Sequence, residues 1–172
     1  REEAKSIVGA ESGFIPLTKE DCKNCGPLQM TEAATKQAYK TYPGKFPGYA
    51  SGEELWAAVT KRTISTEDES RLGVLYYSIE KNAIYYGCSG CDENTIQELA
   101  WLSHNIGYTT VLKLISNYER DYGVKPTSAD LIDYLTRENL KKASGNYYSD
   151  RRIRIAKNYI PRVKNAMGRY AK

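Results

Sequence analysis

The chain is short of histidine, phenylalanine and long apolar runs, and each shortage excludes something. Its 172 residues include one histidine and two phenylalanines. The histidine, His104, has no serine or cysteine partner in a recognisable motif, which argues against a nucleophilic triad. No apolar stretch approaches the ~20 residues that a spanning helix needs, so no transmembrane segment is expected. Paired strand patterns, internal repeats and low-complexity tracts are also missing. The sequence starts at Arg1 with no basic region leading into an apolar core. No secretory signal is therefore expected in this stretch, which reads as a fragment or processed form of a longer protein.

What is present suits one helical domain spanning residues 1–172. Hydrophobic residues make up 41% of the chain, and a chain of this length buries on the order of 70% of its unfolded surface. Helix signals recur throughout. The spacing predicts a helix ending near Glu11, a polar loop over 14–25, and a helix from Thr31 to Tyr39. The segment from Tyr42 to Gly48, with two prolines and two glycines, is expected to be irregular. Ser51 with Glu54, and Thr66 with Glu69, read as capping boxes. The second opens a long helix whose apolar positions are Leu72, Leu75, Tyr76, Ile79, Ala83 and Tyr86, with Gly87 as its cap. Asn94 with Gln97 opens the next helix, Thr109 or Thr110 the one after, closed by Gly123 and Pro126, and Thr127 with Asp130 another. The last helix, from about Ser149, contains Pro161, which is expected to kink it and set Tyr159 over a cleft.

The strongest chemical signal lies near the start. Ala4, Ile7 and Val8 place Glu11 on the apolar face of its helix, where desolvation raises a carboxyl pKa above its usual ~4.3 and keeps a general acid protonated. Glu11-Ser12-Gly13-Phe14, then Gly26-Pro27-Leu28-Gln29-Met30 opening a helix with Thr31-Glu32-Ala33-Ala34-Thr35, resembles the soluble lytic transglycosylases, peptidoglycan-cleaving enzymes of lysozyme-like fold. Pro27-Leu28 stands where the family usually has Leu-Met. Ser70-x-x-Gly73-x-x-Tyr76-Tyr77 is similar to its Gly-x-x-Tyr-Leu helix. Leu102-Ser103-His104-Asn105-Ile106-Gly107 resembles its Ala-Tyr-Asn-Ala-Gly turn, with His104 in the tyrosine's place. Asn158-Tyr159-Ile160-Pro161-Arg162-Val163 resembles its closing helix.

The resemblance implies a mainly α, two-lobed domain with a cleft and a single catalytic carboxylate. Glu11 would protonate the bond between N-acetylmuramic acid and N-acetylglucosamine, then accept the proton of the sugar's own 6-hydroxyl, giving a 1,6-anhydro product. Gln29 and Asn105 would bind substrate with Ser12 and His104 beside them, and the Tyr159 hydroxyl would orient Glu11. A departure is Glu20-Asp21. A second carboxylate could activate water and give a hydrolysing muramidase instead. The remaining alternative is a non-catalytic peptidoglycan-binding or structural module.

Fifteen tyrosines stand against the two phenylalanines, and tyrosine offers sugars both an apolar face and a hydroxyl. Tyr85, Tyr86, Tyr108, Tyr147 and Tyr148 are therefore candidates for a glycan groove. The net charge is +4, with a basic run over Arg151, Arg152, Arg154, Lys157, Arg162, Lys164, Arg169 and Lys172, beside which Asp150 is the one acid. Such a helix suits an anionic polymer or a solvated face, and a nucleic-acid partner is not expected. Two Cys-x-x-Cys pairs, Cys22/Cys25 and Cys88/Cys91, match a structural four-thiolate zinc site in ligand type and local spacing, with two disulfides as the alternative. No catalytic cofactor is expected. The partner implied is the peptidoglycan strand, met in the periplasm or cell wall, with a virion or envelope-spanning assembly as the carrier.

Overall fold

The structure, a computed structural model, describes residues 30–170. Among these residues it is helical, without strands. The α-helices are α1 (Glu32–Thr41), α2 (Gly52–Thr60), α3 (Thr66–Gly87), α4 (Glu93–Ile106), α5 (Tyr108–Tyr122), α6 (Ser128–Tyr134), α7 (Arg137–Ser144), α8 (Asp150–Lys157) and α9 (Tyr159–Tyr170). A 3-10 turn at Pro43–Lys45 interrupts the irregular stretch after α1. Glu11, Ser12, Glu20, Asp21, Cys22, Cys25 and Gln29 lie outside the described residues.

The chain divides into two compact units. Of the described residues, the first holds 30–79 and 166–170, and the second 80–165. In the first unit α1 packs on α2. Thr31 caps α1 by accepting the Ala34 N–H at 3.2 Å, and Ser51 caps α2 by accepting that of Glu54 at 3.1 Å. The Glu54 carboxylate returns to the Ala50 N–H at 2.7 Å, one residue before the expected capping-box partner. Ala38, Phe46, Leu55 and Leu72 are wholly buried, each large one contributing about 2 kcal/mol through lost apolar exposure.

The start of α3 corrects the expected cap. Ser65, not Thr66, accepts from the backbone N–H three residues on, that of Asp68, at 3.0 Å. Of the expected apolar stripe of α3, Leu72 is wholly buried, but beyond it the buried face is turned. It runs through Gly73, Tyr77, Glu80 and Ile84, while Tyr86 is 80% exposed. Spacings of four, three and four residues keep those positions on one helix face.

In the second unit α4 is the central element, packed on α5, α6 and α8, and α5 also packs on α6 and α7. Asp92 caps α4, two residues before the expected start, by accepting the Thr95 N–H at 2.9 Å. The end of α3 lies so close to α5 that a Cβ on Gly87 would come within 2.2 Å of the Leu112 side chain. Gly87 is thus a packing residue inside the helix, not the left-handed cap that the sequence suggests. Thr127 and Asp130 form the full capping box of α6. Helix α7 is an addition, capped by Thr136 and closed by left-handed Gly145.

The single closing helix becomes two. Asn158 ends α8, and its side chain returns to the Arg154 carbonyl at 2.8 Å. Pro161 then falls at the third residue of α9, where a backbone N–H has no intrahelical acceptor to lose, so it starts a helix and does not kink one.

Candidate functional site

The sequence-predicted site residues that the structure describes are His104, Asn105, Tyr159, Cys88 and Cys91, all in the second unit. Two of them, His104 and Asn105, end α4. That helix is buried on several sides, through Ile96, Leu99, Trp101, Leu102 and Ser103 among others. It stops because Gly107 takes φ 84° and ψ 134°, a conformation closed to ordinary side chains, while its N–H reaches the Ser103 carbonyl at 2.7 Å. The next helix starts at once at Tyr108. The result is a tight corner that leaves Asn105 partly exposed between buried Ser103 and Ile106.

His104 is anchored from a second helix. Its side chain is 6% exposed, and Nδ1 lies 3.2 Å from Oε2 of Glu80, which is fully buried on α3. Oε1 of Glu80 has no hydrogen-bond partner among the described residues. Burial pushes the Glu80 carboxyl above the usual carboxylate range, outweighing the opposing pull of His104. Bare lone pairs on both atoms would repel at this distance, so one proton lies between the carboxyl and the ring.

A second buried glutamate, Glu98 on α4, is fully supplied. Ser128 of α6 donates its hydroxyl, Lys164 of α9 forms an ion pair with it, and Asn94 donates at 3.1 Å. Burial works to raise this carboxyl, yet the Lys164 and Ser128 hydrogen bonds prevail and hold it below the usual range. The network ties three helices together.

Tyr159, the first residue of α9, is wholly buried, so its ring belongs to the core and not to an open groove. Cys88 and Cys91, where α3 turns towards α4, are joined as a disulfide with Cα atoms 5.5 Å apart. No cluster of three or more His, Cys, Asp or Glu side chains fit to hold a metal is found among the described residues. Cys22 and Cys25 lie outside those residues, and the four-cysteine arrangement with them.

The tyrosines divide by environment. Tyr85, Tyr86 and Tyr147 are exposed, whereas Tyr148 is buried beneath the Arg152 guanidinium, 5.1 Å from its ring centre. An open cavity of about 290 Å³ forms elsewhere in the unit, against Tyr118, Tyr122, Tyr134 and Asp133. The Tyr134 hydroxyl donates to Asp121, and burial together with that bond pushes its pKa up to about 12. None of the described sequence-predicted site residues lines this cavity. In the basic run, Arg151 and Arg154 are exposed and Asp150 pairs with Arg137 at 2.6 Å.

Sequence reasoning missed Glu80, although a signal existed. A lone acid with Tyr77 three residues before it and Ile84 four after lies on an apolar stripe, and the sole histidine of the chain supplies a buried partner. No described helix is long and apolar enough to cross a membrane. Set against protein-family models, curated proteins and solved structures, the chain matches none.

Proposed function

We propose that the chain is a peptidoglycan-cleaving enzyme of the lytic transglycosylase kind, a lysozyme-like helical domain with Glu11 as acid and then base. The observation that carries this reading is the order of motifs. Glu11-Ser12-Gly13 is followed by Gly26 to Gln29, then Gly73 to Tyr77, His104 to Gly107, and Tyr159. The all-helical architecture of the described residues agrees at the level of class, and the sharp Gly107 turn suits a corner that presents Asn105 to a ligand.

In this mechanism the Glu11 carboxyl gives its proton to the oxygen linking N-acetylmuramic acid to N-acetylglucosamine, and the bond from that oxygen to the muramic C1 breaks. The N-acetyl carbonyl stabilises the cationic carbon. The Glu11 carboxylate then removes the proton of the 6-hydroxyl, whose oxygen closes onto C1, so no water is consumed. Gln29, Asn105, Ser12 and His104 border the sugar. The buried Tyr159 fits a role in holding the Glu11 carboxyl better than one in touching the glycan.

Glu20 and Asp21 favour a second outcome, in which one of them activates water and the enzyme hydrolyses the bond. The Cys88–Cys91 bond supports the two-disulfide alternative over the zinc site, in keeping with work in the periplasm or cell wall. A virion or envelope-spanning assembly remains the proposed carrier.

Clearing of purified peptidoglycan sacculi by wild type and Glu11→Gln tests the reading. Losing the acid should slow clearing by about 10²- to 10⁴-fold while sedimentation with sacculi persists. Equal clearing by both proteins would contradict it, and binding without clearing by the wild type would favour the non-catalytic module.

A further inference from the structure

We propose that Glu80 is a positioning residue, which holds the His104 ring through a shared proton and thereby fixes the corner that presents Asn105 to the glycan. The inference rests on the function proposed above, and it concerns residues to which that mechanism gives no proton to move.

Glu80 occupies a place on α3 that suits an apolar side chain. A leucine at this position would fill the buried stripe of α3 between Tyr77 and Ile84 without desolvating a carboxyl group. Glu80 is instead fully buried, with Oε1 lacking a hydrogen-bond partner among the described residues and Oε2 on Nδ1 of His104. A buried carboxyl committed to one partner acts chiefly as an orienting group, since it specifies which ring nitrogen faces the helix and where the ring lies.

The ring in question is next to Asn105. His104 is also the residue at which the turn departs from the motif it resembles, so the structure pairs that departure with a carboxyl from another helix. Among the described residues, Ile106 is buried behind the corner, Gly107 closes onto Ser103, and Glu80 meets His104. The Glu80 contact is ionisable, and through it helix α3 reaches the end of α4 by a directional bond.

Because His104 is the only histidine, its ring ¹⁵N signals can be read in the whole protein without assignment ambiguity. The experiment compares wild type with Glu80→Gln, a change of similar shape that cannot carry the negative charge. In Glu80→Gln the His104 titration should move down by about one pH unit or more, because the imidazolium loses its counter-charge. Release of fragments from purified glycan strands should fall about tenfold in kcat, with KM within about twofold. His104→Gln should give a similar loss, and the double variant should be no worse than either single one, as for two ends of one interaction. If Glu80→Gln folds poorly, His104→Gln alone still serves, since wild-type kcat in that variant would overturn the inference.

An unmoved His104 titration, or wild-type kcat and KM in Glu80→Gln, would overturn the inference while leaving the proposed enzyme standing. A wild type that releases nothing from the strands overturns the enzyme reading itself, and substrate positioning by Glu80 with it.

Discussion

Two glutamates are buried in the second unit, and they are buried differently. Glu98 is met by Ser128, Lys164 and Asn94 from three helices, whereas Glu80 has His104 and one oxygen without a hydrogen-bond partner among the described residues. Their carboxyls accordingly move in opposite directions, Glu98 below the usual range and Glu80 above it. Burial alone therefore does not decide what an acid is for. A group whose lone pairs are filled is a pin in the fold, and one left short of partners points to a task that packing does not explain.

The largest effect is expected at the pin. Glu98→Ala leaves Ser128 and Lys164 without their partner, and breaking a buried ion pair costs about 3 kcal/mol. Lys164 is 54% exposed, so water recovers part of the loss and the cost should settle near 2 kcal/mol in urea unfolding. A cost indistinguishable from zero would erase the contrast between the two acids.

A smaller loss is expected at the corner. Gly107→Ala forces a side chain into a backbone conformation that favours glycine, at about 1–2 kcal/mol, and should disturb His104 more than Glu98. Unfolding free energies together with the His104 ring signals would show whether the strain stays at that end of α4.

The smallest change at neutral pH, and the sharpest comparison, is Glu80→Gln. A carboxyl with a raised pKa contributes stability below its unfolded value of about 4.3, and that contribution is lost as pH rises through the folded value. The advantage of wild type over Glu80→Gln should therefore shrink from acid towards neutral pH, leaving the two within about 1 kcal/mol at pH 7. Glu98 has the opposite sign, its contribution being present above the usual value and lost as pH falls through the lowered one. Parallel slopes for Glu80→Gln and Glu98→Ala, from urea midpoints measured from about pH 2.5, below the usual carboxylate value, up to about pH 8, would break the comparison.

Much of the helical frame was legible because caps are local. Thr31, Ser51 and Thr127 each bond a backbone N–H within three residues, and such pairings can be read from a short window. At two helix starts the window misled. The observed cap lies one or two residues earlier than the one the pattern picked, Ser65 in place of Thr66 and Asp92 in place of Asn94. Helix α7 went unseen because its buried face is only Leu140 and Ala143. Glu80 was missed for a different reason. Its meaning depends on His104, which lies a helix away, and no periodicity links the two. The Asn105 turn was visible as a motif, but its closure by the unusual φ of Gly107 was not.

The proposed chemistry turns on Glu11 and on where the sugar's own hydroxyl goes. Mass spectrometry of the muropeptides released from purified peptidoglycan, by wild type and by Glu11→Gln, tests this most directly. Fragments lighter than the hydrolytic ones by one water, and absent with Glu11→Gln, are the predicted result, for they carry 1,6-anhydro ends. Reducing ends of hydrolytic mass would contradict transfer and assign water activation to Glu20 or Asp21.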